Sequence, residues 1–286
     1  MPDLKLGNNS VTTVKIGSTQ VNKVYLGTNL IWSSVDPDAQ AFITAAGITD
    51  ATQQSAINTL VTDLKGYGIW TKMKAIYPFC GGSASSHKWN LRDPRDLNAA
   101  FRLVFYGGWT HSSNGAKAGV NGYADTYFNP VAQSTSLDSL TLSVYNRETL
   151  SGGFTPIFGN GQTTSPQNYT TLVFANKEAG GIASKANWSP SGNNPTYVGL
   201  KTITCNGSRV ANFYKNGSIV AGSNTMAGSY QNSTFYLSAI NNGTTAYLGA
   251  QAQVAFTMIA DGFSANDVSN FYTAVQAYQT TLSRNV

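Results

Sequence analysis

The chain has 286 residues, 41% of them hydrophobic and only 11% charged, with a formal net charge of +5, against a usual charged share of about 25%. That apolar supply can bury a sizeable core, so one large domain with a smaller appendage is expected. The scattered positive charge gives no basic stripe with interleaved aromatics, and no run reaches the roughly twenty apolar residues of a membrane helix, so neither nucleic-acid binding nor membrane insertion is expected.

The first element is a repeat. Leu4-Lys5-Leu6-Gly7, Val14-Lys15-Ile16-Gly17 and Val24-Tyr25-Leu26-Gly27 follow one another at ten-residue spacing, and Val11, Val21 and Ile31 keep step behind them. Each unit reads as a short strand, a glycine-led polar turn and a second strand. So few short strands hold little core of their own, which makes residues 1–35 an attachment or assembly module leaning on a partner or on symmetry mates. No charged-then-apolar signal segment opens the chain.

Residues 36–68 change period. Ala39 to Ala46 and Ala51 to Leu64 have helical spacing, with Ile57, Leu60, Val61 and Leu64 on one stripe. Gly47 separates the two helices, Thr49 or Asp50 caps the second, and Gly66 to Gly68 stops it.

From Ile69 the grammar is β. Strands are expected at Met73 to Phe79, Ala100 to Tyr106, Leu140 to Tyr145, Thr170 to Ala175, Tyr197 to Cys205, Val210 to Lys215, Phe235 to Ile240 and Val254 to Ile259. Asn216-Gly217 between apolar runs is a hairpin signal. This many strands with apolar and polar alternation implies two packed antiparallel sheets over residues 69–286. A closing helix carries Val268, Phe271, Tyr272, Val275, Tyr278 and Leu282 on its buried side, with Ser264 and Asp267 as a capping box. Two cysteines, Cys80 and Cys205, neither demand nor exclude one bridge and are read as small buried hydrophobes. With two histidines, no CxxC and no HExxH, zinc is not expected.

Asn206 to Ala221, with Asn-Gly between an aromatic-bearing strand and a short apolar one, resembles the hairpin of concanavalin A-like and laminin-G-like jelly rolls. Tyr247-Leu248-Gly249, Val254 to Ile259 and Asp261-Gly262-Phe263-Ser264 resemble the closing strands of that fold. Further segments are similar to structural proteins of tailed bacteriophages: Gly47 to Phe79, Ala100 to Leu103, Gly108 to Ser112, Gly119 to Thr126, Phe271 to Leu282 and the phrase Lys23 to Gly27. The resemblance implies a mainly β chain: a small N-terminal β-repeat, a helical hairpin and a concanavalin A-like jelly-roll sandwich with a C-terminal helix. It further implies a virion protein on the particle surface, of head-fibre, tail-fibre or decoration type. Other virion proteins would be held through residues 1–35, with a homotrimer expected, and host or environmental glycans would be the ligands. The competing readings are a capsid decoration protein without ligand and a glycan depolymerase.

Hydrolysis of glycans by a retaining route needs two carboxylates about 5–5.5 Å apart. The two glutamates, Glu148 and Glu178, are thirty residues apart without a neighbouring acid at the required spacing, so no enzyme is expected. Gly107 to Ser113 contains a Ser-His neighbourhood but no third group to hold the base, and reads as a turn with Trp109 packed and His111 and Ser112 bonding backbone. His87 to Asp93 reads as a structured loop in preference to a sugar site.

Sugar recognition combines an aromatic platform with amides and hydroxyls. The candidate binding residues are Trp188, Asn187, Trp109, Trp89 and Tyr123, with Tyr127 and Tyr230 as further loop aromatics. Trp188, in the polar loop Lys185 to Asn194, is either exposed for binding or folded over a sandwich end. No cofactor is expected. Calcium stays open, since related lectins bind it and Asp125, Asn121 and Asp261 could supply oxygens, although no Asp-x-Asp-x-Asp-Gly loop is present.

Overall fold

The structure, a computed structural model, describes residues 5–7, 9–11, 13–21, 23–148, 156–162, 168–174, 178–184, 198–207, 209–225, 228–247, 249 and 251–286. The repeat forms three separate antiparallel hairpins: β1 (Lys5–Leu6) with β2 (Asn9–Ser10), β3 (Val14–Ile16) with β4 (Thr19–Val21), and β5 (Lys23–Leu26) with β6 (Asn29–Ser33). Gly7, Gly17 and Gly27 open the two-residue turns at φ 68°, 62° and 60°, the left-handed region that glycine enters at no steric cost.

Helix α1 (Pro37–Ala46) starts at Asp36, whose carboxylate accepts the Asp38 N–H, and ends on left-handed Gly47. Helix α2 (Ala51–Gly66) is capped by Asp50, which accepts the Gln53 N–H. There follow β7 (Met73–Tyr77), the short α3 (Ala84–His87), β8 (Val104–Tyr106), β9 (Trp109–Ser112), β10 (Gly115–Ala118), β11 (Tyr123–Asp125) and β12 (Ser139–Asn146). Next come β13 (Pro156–Gln162), β14 (Asn168–Phe174), β15 (Glu178–Ser184), β16 (Gly199–Asn206), β17 (Val210–Lys215) and β18 (Ser218–Thr225). The chain closes with β19 (Tyr236–Leu237), β20 (Ile240–Asn241), β21 (Ala246–Tyr247), β22 (Gln253–Ala260) and α4 (Ala265–Thr281).

The inner sheet runs β18-β17-β16-β12-β22-β10-β9, and β7 shares with β10 one edge of β22. The outer sheet runs β15-β14-β13-β19-β11-β8, with β20 pairing parallel to β13 at Asn160↔Asn241 and β21 pairing β20. Two cores result. Leu140, Leu142, Val144, Ile203, Phe213 and Ile259 of the inner sheet meet Ala124, Phe158, Phe235 and Leu237 of the outer one. On the far side of the inner sheet, Tyr145, Leu200, Phe256 and Met258 pack against Ile57, Leu60, Val61, Phe271, Val275 and Tyr278 of the helices. Both faces of the centre of the inner sheet are therefore covered, and strands β12, β16 and β22 bury nearly every residue. Polar positions on the helix side pair across strands, Thr141 with Thr204 and Ser143 with Thr202, each at 2.8 Å between hydroxyls, as buried polar groups require.

The boundaries correct the expectation in three places. Ala100 to Tyr106 is not one strand: Phe101 takes φ 58° after a short 3-10 turn, so pairing begins only at Val104. Phe235 to Ile240 is broken at Ser238, φ 64°, into β19 and β20. Trp109 to Ser112, read as a turn, is a strand paired with β10. Asn216 and Gly217 both take positive φ, 48° and 77°, as a type I′ hairpin needs. Cys80 and Cys205 are free and buried, one in each core. Among the described residues no helix is long and apolar enough to cross a membrane.

Candidate functional site

Strand alternation dictates which residues leave the sandwich. In β11 Ala124 turns into the core, so Tyr123 and Asp125 face outward. In β19 Leu237 is core and Tyr236 faces outward; in β8 Phe105 packs inward and Tyr106 outward. Register then sets Tyr106 opposite Tyr123 and Asp125 opposite Tyr236.

The three rings stack in a row across adjoining strands. Tyr106 and Tyr123 have centroids 4.9 Å apart at 17°, and Tyr123 and Tyr236 lie 4.6 Å apart at 23°. Tyr127, left-handed at φ 55°, brings its hydroxyl to 3.4 Å from that of Tyr106. Beneath the row, the Asp125 carboxylate accepts the Tyr127 N–H at 2.8 Å. Trp109 ties the row down from the end of the sandwich: its indole N–H is shared between the carbonyls of Tyr106, 3.1 Å, and Tyr123, 3.2 Å. Its ring meets Phe105 edge to face at 5.1 Å.

The surroundings favour the protonated form of Tyr123, Tyr127 and Tyr236. Burial raises the phenol of Tyr236, helped by the charge of Asp125, and burial likewise raises Tyr123. The hydrogen bond with Tyr106 is the main cause that pushes Tyr127 up to about 12. Burial raises the carboxyl of Asp125 as well, its hydrogen bonds opposing that shift. The surface offers ring edges, ring faces at the ends of the row, and hydroxyls that both donate and accept.

Of the sequence candidates, the structure brings Trp109 and Tyr123 into one site. Trp89 lies elsewhere, packed against the helix-side core with the Lys88 ammonium 4.7 Å from its ring centroid. Trp188 and Asn187 lie outside the described residues. Tyr230 is tied to the Ser136 carbonyl at 2.9 Å. Tyr106 and Tyr236 were not singled out in the sequence; the alternation Phe105/Tyr106 and Phe235/Tyr236/Leu237 was the signal that could have found them. The suggested oxygen ligands sit on different elements: Asp125 is on β11 of the outer sheet, while Asp261 follows β22 of the inner one and is paired with Lys74 at 2.8 Å. Among the described residues no group of three or more His, Cys, Asp or Glu side chains is placed to hold a metal.

The fold and surface define a mainly β, two-sheet sandwich protein with an aromatic outer face. No protein-family profile and no curated protein matches the chain. Among solved structures it is similar to Trypanosoma rangeli sialidase in complex with sialic acid, at 12% identity and a TM-score of 0.52, over 76% of this chain and 38% of that one. A mutant of the same sialidase displaying trans-sialidase activity matches at 13% identity and a TM-score of 0.50, over 80% and 39%. The chain thus spans under two fifths of the length of these sialidases, and the likeness is one of fold. Domain 4 of AbnA, an extracellular arabinanase from Geobacillus stearothermophilus in complex with arabinotriose, gives a looser superposition, TM-score 0.44 at 14% identity, covering 70% of this chain and 98% of that one.

Proposed function

We propose that this chain is a carbohydrate-binding adhesin on the surface of a tailed-phage particle, its sandwich a concanavalin A-like jelly roll displayed from an attachment module at residues 1–35. One observation carries the binding half of this reading: the outward row Tyr106–Tyr123–Tyr236 with Tyr127 and Trp109. Stacked aromatics that carry hydroxyls suit sugars, whose C–H faces lie on rings and whose hydroxyls need donors and acceptors together. That the fold-sharing sialidase is in complex with sialic acid is in keeping with a sugar ligand. Assignment to a virion rests on the sequence resemblance, and attachment and trimer formation rest on the repeat.

The reading includes no bond-breaking step. Glu148 is engaged by the Lys117 ammonium at 2.6 Å on the inner-sheet side, whereas Glu178 begins β15 in the outer sheet. The test is a broad glycan array probed with the full chain beside Tyr123→Ala, Tyr236→Ala and Trp188→Ala versions. Binding that either tyrosine change abolishes supports the reading. Binding lost only with Trp188 moves the site to the loop, and silence from the parent chain turns the proposal toward a decoration protein without ligand.

A further inference from the structure

A second concavity lies at the margin between the sheets. It encloses about 430 Å³, within the roughly 300–1,000 Å³ of small-molecule sites, and is lined by Phe101, Phe128, the loop Gln133 to Ser136, and the pair Lys74–Asp261. Its walls differ in chemistry. Phe101 and Phe128 form an aromatic wall, edge to face at 5.0 Å. Opposite stands a loop whose backbone is spent internally: the Gln133, Ser134 and Thr135 N–H groups donate to the carbonyls of Asn129, Val131 and Pro130. The amide of Gln133 and the hydroxyls of Ser134 and Thr135 make no such bonds among the described residues and are left for a ligand. The third wall is the ion pair, 2.8 Å between Lys74 Nζ and Asp261 Oδ2, both side chains 40% exposed. Phe101 and Ser134 hold left-handed φ of 58° and 50°, strain that non-glycine residues keep only where the surroundings fix it.

We propose that this cleft binds a neutral, hexose-sized polyol, the end sugar of a glycan. The apolar ring face rests on Phe101, the loop hydroxyls and Gln133 take its outer hydroxyls, and a vicinal diol bridges Lys74 and Asp261, donating to the carboxylate and accepting from the ammonium. The neutrality follows from the pair: its charges already cancel, and an acidic sugar drawn to Lys74 would set its carboxylate against that of Asp261. The site does not depend on the tyrosine row, which shares none of these residues.

The test is a titration of the isotope-labelled full chain with methyl glucoside, methyl galactoside and methyl mannoside, followed by amide resonances, beside a sialylated sugar. The expected result is saturable, millimolar shifts of the Ser134, Thr135, Ser136 and Asp261 amides with at least one neutral glycoside and with no acidic one. Asp261→Asn, which keeps shape and removes charge, weakens that binding about tenfold, as loss of a charge-assisted hydrogen bond does. Tyr123→Ala leaves it unchanged, so this site and the tyrosine row fail or succeed separately. Unmoved cleft amides with all three neutral glycosides overturn the proposal, as does stronger binding of the acidic sugar or equal binding by Asp261→Asn and Lys74→Met.

Discussion

Nδ1 of His87 stands 2.9 Å from Nδ1 of His111, so the chain's two histidines, their rings tilted by 55°, meet in one hydrogen bond. The Gly82 N–H donates to Nε2 of His87 at 3.2 Å, which leaves the His87 proton on Nδ1, donating to Nδ1 of His111. A proton added to either ring sets two N–H groups against each other. Phe79 adds an apolar edge at 5.3 Å and Arg284 a nearby positive charge. Burial first, then His111 and Arg284, lower His87 to about 3, and burial lowers His111.

The sign follows from the lowered values. Above the unfolded histidine pKa of about 6.5 both states are neutral and nothing is lost. As pH falls below it, the unfolded chain takes up protons that the folded one refuses, and stability declines until the pH nears 3. For His87 alone the loss at pH 5 is about 2 kcal/mol. Thermal unfolding at pH 7.5 and pH 5 should therefore differ by several degrees, and His87→Gln should flatten that difference. An equal pH slope in the variant would remove the histidine pair as its cause.

A second prediction concerns Arg284. Its buried guanidinium faces carbonyls: Nη1 donates to Phe79 O at 2.8 Å and Ser113 O at 3.4 Å, Nη2 to Pro78 O and Ala255 O, and Nε to Gln279 Oε1. One side chain thus staples the C-terminal tail, the loop after β7 and strand β22. Arg284→Ala strands these buried acceptors and should cost about 3–5 kcal/mol. Arg284→Lys, lacking the planar fork, should recover only part. Denaturant unfolding of both variants gives the comparison; a loss under 1 kcal/mol (about the worth of a single hydrogen bond) for Arg284→Ala would show that the staple contributes little.

Much of this was legible in the sequence because it is local. The repeat glycines, the Asp50 cap, the Ser264–Asp267 capping box and the Asn216-Gly217 turn are each written in a few adjacent residues. What the sequence hid is long-range. Tyr236 joins Tyr123 across 113 positions (236 − 123) through strand register, and His87 meets His111 of β9 across a loop and strand β8. Trp89 and Trp109 looked alike as loop tryptophans, yet they pack into opposite cores. The bends at Phe101 and Ser238 escaped notice because neither residue type announces a left-handed backbone.

Glycine replacements separate backbone strain from steric closure. Gly17 takes φ 62° with nothing within 4 Å of an added Cβ, so Gly17→Ala should cost only about 1 kcal/mol of conformational strain within its hairpin. Gly115 takes φ 114°, and an added Cβ would sit 2.2 Å from the Val254 carbonyl oxygen and 3.0 Å from Ala255 Cα. Gly115→Ala must push β10 from β22 and should destabilise the sandwich by more than about 3 kcal/mol. Comparable unfolding midpoints for the two variants would contradict the close approach of these strands.

The last prediction tests whether Trp109 orders the tyrosine row. Trp109→Phe keeps an aromatic ring against Phe105 and removes the indole N–H that bridges the Tyr106 and Tyr123 carbonyls. The fold should lose about 1 kcal/mol, the worth of one such bond. Any glycan bound on the row should bind several-fold more weakly, because β8 and β11 are then free to shift the rings that register holds in line. Tyr123→Phe makes the complementary change, retaining the stacked ring while losing its hydroxyl. If affinity falls with Tyr123→Phe but not with Trp109→Phe, the hydroxyls bind the sugar and the row is rigid without its tether. If it falls with Trp109→Phe alone, ring placement governs recognition, and the indole acts by positioning Tyr106 and Tyr123 rather than by touching the ligand.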